Sequence, residues 1–415
     1  MTKPVGADSL LPLYVYDDSE RNRLIEEARD LPSIEISSAA AANAVMLGGG
    51  YFTPLQGYMN LQDALGVARD MRTVDGRFFP VPIMNLVDST SAIEGARRIA
   101  LRDPNVEGNP VIAIQQVDAI ETVNDEQMAL MTDKVYRTAD MDHPGVAEFN
   151  NQGRQAISGP IQVLNFSYFE TDFPDTFRTA VQIRAEIEAR GWQRVVAFQT
   201  RNPMHLAHEE LCHMAMQRLN CDGLVIHMLL GKLKPGDIPA DVRDDAIRTM
   251  VRLYFPENSA IVTGYGFDML YAGPREAVLH AYFRQNMGAS HFIIGRDHAG
   301  VGDFYGMFEA QTIFDKIPSP SKPGKALLCT PLKIDWTFYC YKCDGMASMR
   351  TCPHGKEDRV LLSGTMLRKM LSEGGDLPDH FGRDEVVEIL REYYEGLTEK
   401  VEIKLHGAAT GDDKK

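Results

Sequence analysis

From about residue 170 the chain alternates two patterns. Apolar, β-branched runs at 195–198, 223–230, 260–263 and 291–295 are separated by helix-forming stretches at 176–190, 242–254 and 273–285, with a further helix after 202. That alternation predicts a parallel sheet in an α/β domain. Upstream the pattern differs. Strand-like runs at 80–87, 111–117 and 159–164 lie between turns, and helical stretches such as 60–70 are brief. This predicts a β-rich domain with small helices. Beyond 326 a cysteine-bearing stretch precedes two expected helices, 365–371 and 384–394. The division expected is therefore 1–168, 169–325 and 326–405, with a small, charged, disordered tail over 406–415.

In open parallel sheets, ligands bind beyond the carboxyl ends of the strands. Two segments lie there. Gln199-Thr200-Arg201 follows the 195–198 run, then Asn202 as a helix N-cap and Pro203 at the first helical position. The helix would carry His205 and His208 on one face. The other segment, Gly295-Arg296-Asp297-His298-Ala299-Gly300, follows the 291–295 run. A helix N-terminus, an arginine and two histidines converging on one point suit a polyanion such as a nucleotide triphosphate. No Gly-x-Gly-x-x-Gly follows a strand, and no P-loop lysine follows Gly48-Gly-Gly50, which reads as a turn.

Length and charge narrow the classes. A chain of 415 residues suggests two or three domains. A net charge of −15 argues against nucleic-acid binding and would repel anions, so a local cluster must reverse the sign. Arg201, Arg296, Lys232 and Lys234 are the candidates, although the two lysines could equally be solvated loop residues. No stretch is long and apolar enough to span a membrane, and Asp17, Asp18, Glu20, Glu26 and Glu27 crowd the region where a basic leader would stand. A cytoplasmic location is expected.

The central segments resemble the ATP sulfurylase (sulfate adenylyltransferase) family. Its motif Gln-x-Arg-Asn-Pro-x-His-x-x-His is met by Gln199, Arg201, Asn202, Pro203, His205 and His208, and Gly-Arg-Asp-His-Ala-Gly stands at 295–300. Tyr271-Ala-Gly-Pro-Arg-Glu-Ala277, Leu233-Lys-Pro-Gly-Asp237, Ser363-Gly-Thr365 with Leu367 and Arg368, and Phe52-Thr-Pro-Leu-Gln-Gly57 are similar too. The resemblance implies a barrel-like, PUA-like N-terminal domain, a Rossmann-like nucleotidyltransferase domain and a small C-terminal α/β domain. It implies that sulfate attacks the α-phosphorus of MgATP, giving adenylyl sulfate and pyrophosphate, reversibly. Thr200, Arg201, Asn202, His205, His208 and Arg296 would be catalytic. Gln199, Arg201, Asn202, Gly295, Asp297, His298 and the Ala299 amide would bind substrate. Arg201, a forked donor, would grip sulfate. The histidines would meet the phosphates, Arg296 would bridge the reacting groups, and Mg²⁺ would arrive with ATP. Partners would be these small molecules and further copies of the chain in a homo-oligomer, with no nucleic acid and no membrane.

Other readings remain beside this one. A nucleotidyltransferase acting on nicotinamide or pantetheine phosphates would share the histidine helix, but Gly-Arg-Asp-His-Ala-Gly argues against it. An RNA-binding protein would fit the N-terminal domain type, but not the acidic balance. His208-Glu209 begins a metalloprotease-like pattern, yet position 212 is Cys and His213 falls on another face. Cys340, Cys343, Cys352 and His354 are expected to hold a structural zinc, or cobalt, in a thiol-rich tetrahedral set; three reduced cysteines or a redox pair is the alternative. The step from Cys352 to His354 is short for two ligands on one ion. Cys212, Cys221 and Cys329 are expected to be core residues.

Overall fold

The computed structural model describes residues 1–233, 237–317, 327–360, 364–375 and 377–397. Lys234, Ser363 and the tail 406–415 lie outside them, as does the side chain of Thr365.

The N-terminal region is a seven-stranded sheet built on one long strand. Strands β1 (Ser33–Glu35), β2 (Gly57–Tyr58), β3 (Leu86–Val87), β4 (Arg98–Arg102), β5 (Val111–Gln116) and β6 (Ala119–Thr122) precede β7 (Gln155–Val163). The main order is β1-β4-β5-β7-β2, and β3 and β6 also pair with β7. Since β5 takes 161–163 of β7 and β6 takes 155–158, the sheet bends along its spine into a curled half-barrel. The bend requires a close approach: Gly159 has φ +135°, and a Cβ there would stand 2.1 Å from the Gln116 carbonyl. Most of the 80–87 run is not strand, and only Leu86–Val87 pairs. Helices are also longer than expected here. Asp18–Asp30, Ser38–Gly48 and Asp125–Tyr136 are helical, while Leu61–Asp70 is capped by Asn60. Gly50, with φ +81°, sits in the turn after Ser38–Gly48, not in a phosphate loop.

The central region is a parallel sheet of β8 (Val195–Thr200), β9 (Gly223–Leu229), β10 (Ala260–Tyr265), β11 (His291–Ile294) and β12 (Thr330–Lys333), in the order β10-β9-β8-β11-β12. The strands β8, β9 and β10 run outward one way, and the chain then returns to the far side of β8. The order therefore reverses between β8 and β11. The fifth strand comes from beyond residue 325, so the parallel sheet extends past the expected central boundary.

The helix Pro274–Asn286 joins the two regions, and all of its residues are buried. The Tyr282 hydroxyl donates to the Thr53 carbonyl at 2.7 Å, and Asn286 Nδ2 donates to Tyr51 and Thr53 carbonyls at 2.7 and 3.1 Å. These bonds satisfy polar groups that burial would otherwise penalise. Tyr51, Phe52, Phe267 and Phe283 pack edge to face or tilted along this seam. The C-terminal region adds a small sheet, β14 (Gly345–Ser348), β13 (Thr337–Cys340) and β15 (Arg359–Val360), and the helices Gly364–Ser372 and Asp384–Glu395. Among the described residues no helix is long and apolar enough to cross a membrane.

Candidate functional site

The strand-order reversal sets the site. Beyond β8 and β11, Gln199-Thr200-Arg201-Asn202 and Gly295–Gly300 leave adjacent strands at the switch point, where such sheets bind ligands. Arg201 closes the gap between them: its Nη2 donates to the Gly300 carbonyl at 3.1 Å. The Thr200 hydroxyl is engaged on both sides, donating to the Asn202 carbonyl at 2.6 Å and accepting the Asn202 amide at 3.0 Å. It shapes the turn. Arg201 Nη1 is a buried donor with no hydrogen bond among the described residues, His208 Nδ1 is likewise unpaired, and the Gln199 amide is directed at the buried Tyr265 hydroxyl. Orphaned polar atoms cost about 1–3 kcal/mol each unless something accepts or donates to them. Two of them, one past the end of β8 and one in the first turn of the helix that follows, mark a place for a polar ligand.

The helix does not start at Pro203. It runs Leu206–Leu219, with His205 as the N-cap residue. Asn202 cannot cap it because its Oδ1 accepts from Arg368 Nη1 at 2.6 Å. The rings of His205 and His208 lie 3.9 Å apart, with His205 packed on Phe381 and His208 on Phe198. Burial holds His205 well below the usual imidazole range, with the neighbouring His208 adding to it, and lowers His208 to about 4. Both are neutral imidazoles at pH 7, able to donate a hydrogen bond without carrying charge. The metalloprotease pattern is not assembled. Glu209 is held by Arg383 through two bonds of 3.0 and 2.6 Å, and His213 stacks on Phe255.

The second loop bends through left-handed residues, Asp297 at φ +54° and Ala299 at +57°. Arg296 lies 3.7 Å from the centre of the Trp336 ring and 3.7 Å from Asp297 Oδ2. His298 Nε2 meets His280 Nδ1 at 3.0 Å, and burial keeps His298 well below the usual imidazole range. Of the expected positive cluster, the Lys232 amide donates to Asp268 at 2.8 Å, and Lys234 lies outside the described residues.

Several contributors were not assigned from sequence. Arg368 Nη1 holds Asn202 and stands 3.4 Å from Asp237 Oδ1. Its motif was noted, but no role followed. Trp336 and Phe381 bring the C-terminal region against Arg296 and His205. Nothing in the local sequence around Trp336 or Phe381 marks either for this contact.

Cys340, Cys343, Cys352 and His354 come together, their ligand atoms all within 4.8 Å of one another. His354 Nδ1 is 3.3, 3.3 and 3.6 Å from the sulfurs of Cys340, Cys343 and Cys352, and Cys343 Sγ is 3.8 Å from Cys352 Sγ. Zn–S bonds of about 2.3 Å put tetrahedral sulfurs roughly 3.8 Å apart, so this donor set fits a zinc-sized ion. The short Cys352–His354 step is accommodated because Arg359 Nη2 holds both of their carbonyls, that of Cys352 at 3.3 Å. The hairpin is tied to the site at its root, where the Thr337 hydroxyl donates to the Ala207 carbonyl at 2.6 Å. Cys212 and Cys329 are buried core residues as expected, whereas Cys221 is half-buried and packs against the core from its edge.

Comparison with known proteins gives a consistent result. Residues 174–393 match the ATP-sulfurylase family, and residues 2–166 match the PUA-like domain. The chain is 64% identical over 398 residues to a sulfate adenylyltransferase of Allochromatium vinosum, covering 96% of this chain and 99% of that one. It is 60% identical over 398 residues to a sulfate adenylyltransferase of Alcanivorax borkumensis, covering 96% and 98%. A solved structure described as a hexameric APS kinase from Thiobacillus denitrificans shares the fold, with a TM-score of 0.71 at 21% identity over 94% of this chain and 68% of that one.

Proposed function

The chain belongs to the ATP-sulfurylase family, and from that premise we propose that it is a sulfate adenylyltransferase. A sulfate oxygen attacks the α-phosphorus of MgATP, the bond from that phosphorus to the bridging oxygen breaks, and adenylyl sulfate and pyrophosphate form. The mixed anhydride is costly, so the reverse reaction is favoured when products are not removed. The observation that carries the reading is the set of orphaned donors at the switch point, Arg201 Nη1 above all, beside the Ala299 loop. Sulfate is a weak dianionic nucleophile, so the protein must hold two anions in line and neutralise the charge that builds between them.

In this reading Arg201, Gln199 and the Ala299 amide take sulfate. His205 and His208 donate to the phosphates and to departing pyrophosphate as neutral imidazoles. Arg296 lies between the reacting groups, and Gly295, Asn202, Asp297 and His298 shape or contact the nucleotide pocket. Thr200 fixes the turn that presents Arg201. Mg²⁺ accompanies ATP.

The Cys340/Cys343/Cys352/His354 set would hold one zinc, or cobalt, ion. When bound, that ion supplies a structural cross-link with no open coordination position. The domain division proposed is 1–168, 169–325 and 326–405 with a tail over 406–415, β12 reaching back into the central sheet. A cytoplasmic homo-oligomer completes the reading, and sedimentation tests the assembly. ATP formation from adenylyl sulfate and pyrophosphate, read with luciferase, tests the activity; no ATP above the uncatalysed level would overturn it.

A further inference from the structure

The segment Tyr271-Ala272-Gly273 is not used by the chemistry above, yet it touches both loops that meet at the switch point. The Arg201 guanidinium lies 4.9 Å from the centre of the Tyr271 ring. The Gly273 amide donates to the Ala299 carbonyl at 3.0 Å. One short turn therefore contacts the side chain and the backbone expected to grip sulfate.

The turn is held in a conformation that its residues resist. Tyr271 has φ +58°, in the left-handed region, where a bulky side chain is disfavoured. Two buried groups keep it there. Glu276, fully buried, accepts the Leu270 amide on Oε1 and the Ala272 amide on Oε2, both at 3.0 Å. His143, from the N-terminal region, approaches the Tyr271 carbonyl with Nε2 at 3.1 Å. Its tautomer follows from its other bonds. Nδ1 accepts the Gly145 and Val146 amides at 3.1 and 3.2 Å, so the proton sits on Nε2, where it is shared between the Tyr271 carbonyl and the Tyr305 hydroxyl at 3.0 Å. Glu276 also stands 3.4 Å from His280 Nε2, and His280 reaches His298 of the second loop.

We propose that this turn is a bracket that sets the spacing between Arg201 and the Ala299 amide, with Tyr271, Glu276 and His143 acting as positioning residues for the sulfate subsite. The inference rests on the sulfate adenylyltransferase reading and deepens it. The Tyr271 ring supports one face of the guanidinium, and the Gly300 carbonyl fixes Nη2, which leaves Nη1 for the anion. Releasing the turn lets both sulfate ligands drift while the histidine helix stays in place. A loss specific to sulfate is the consequence. It also means that the N-terminal region, through His143, contributes to the geometry of a site it does not line.

The test compares four variants with the wild type, measuring KM for sulfate, KM for ATP, kcat and Tm, together with the rise in Tm that inorganic sulfate alone produces. Tyr271→Leu removes the ring face, and sulfate KM should rise about 3- to 30-fold, the range a partly desolvated cation–π contact supports, with ATP KM within about twofold. Tyr271→Phe keeps the ring and should restore wild-type values. His143→Asn keeps an acceptor for the helix amides but loses the Nε2 donor, and Glu276→Gln can accept at only one oxygen. Both should reproduce the sulfate-specific rise and weaken stabilisation by inorganic sulfate. Unchanged sulfate KM in Tyr271→Leu and His143→Asn, or equal rises for ATP and sulfate, would overturn the bracket. The Tm response to sulfate does not need turnover, so failure of the bracket and failure of the assigned reaction are read separately.

Discussion

Replacing Arg201 with alanine should nearly abolish turnover in both directions while leaving the fold intact. The guanidinium bonds the Gly300 carbonyl at 3.1 Å, lies 4.9 Å from the Tyr271 ring centre, and keeps Nη1 buried without a partner among the described residues. The first two contacts are structural. A neutral-acceptor hydrogen bond contributes about 1 kcal/mol and the partly desolvated cation–π contact about 0.5–2 kcal/mol, so Tm should fall by several degrees. The third feature is the catalytic one. A charge-assisted donor lost from a water-excluded transition state costs about 3 kcal/mol, or roughly 150-fold in rate. Arg201→Lys keeps the charge but not the fork, and it should recover only a small part of the loss. The luciferase assay and its forward counterpart, set beside thermal melts, separate the two effects. If the folded alanine variant retains more than about a tenth of wild-type activity, Arg201 is not the sulfate ligand.

His205→Ala and His208→Ala should lower turnover more than nucleotide affinity, because their donors matter most as pyrophosphate departs; equal losses by calorimetry and kinetics would mean ground-state binding alone. Because both imidazoles sit below their ordinary range, they bind fewer protons folded than unfolded below about pH 6.5, His208 down to about 4. Their contribution to stability is therefore present above that window and lost as pH falls through it, and denaturation at graded pH checks the sign. Arg368→Ala should reduce turnover roughly tenfold or more by freeing Asn202 and taking a cation from Asp237, with Arg368→Lys a poor substitute; wild-type kinetics in the alanine variant would remove Arg368 from the site. Elemental analysis should find about one zinc or cobalt per chain, and a chelator should lower Tm and shift the fluorescence of Trp336. Substoichiometric metal with freely reacting native cysteines would refute the cage.

The parallel sheet was legible because short apolar, β-branched runs alternate with longer helix-forming stretches, a signal that run length and composition carry along the chain. The start of the histidine helix was not. Asn-Pro is a sound local start, and it lost to a tertiary bond, since Arg368, over 160 residues away, takes the Asn202 side chain. The same limit hid β12, four residues that become strand only because β11 offers an edge. Ser38–Gly48, like Pro274–Asn286, is buried on nearly all sides and has no amphipathic stripe to read, but unlike it has no Pro at its start and no place in a repeating strand–helix alternation. Asp125–Tyr136 could have been found, since Asn124 and Gln127 form a capping box. Within the site, the residues on the two strand ends could be named in advance. Their supports, Trp336, His143 and the Tyr271–Glu276 turn, come from three separate segments, and only the fold brings them to the same loops.

The acidic balance of the chain finds its answer in how the site is charged. A net charge of −15 repels sulfate and ATP at long range, and lysines on mobile stems would neutralise them only weakly. The site relies instead on arginines fixed by neighbours: Arg201 by Tyr271 and Gly300, Arg296 by Trp336, Arg368 by Asn202 and Asp237. Its histidines stay neutral, so they add donors without adding charge. Fixed, partly dehydrated guanidinium groups act at short range, where salt screens them least, and favour an anion that meets them with matched oxygens. On the proposed function, such groups would hold two anions side by side. That arrangement suits a reaction in which one anion must attack another and in which the products, also anions, must leave.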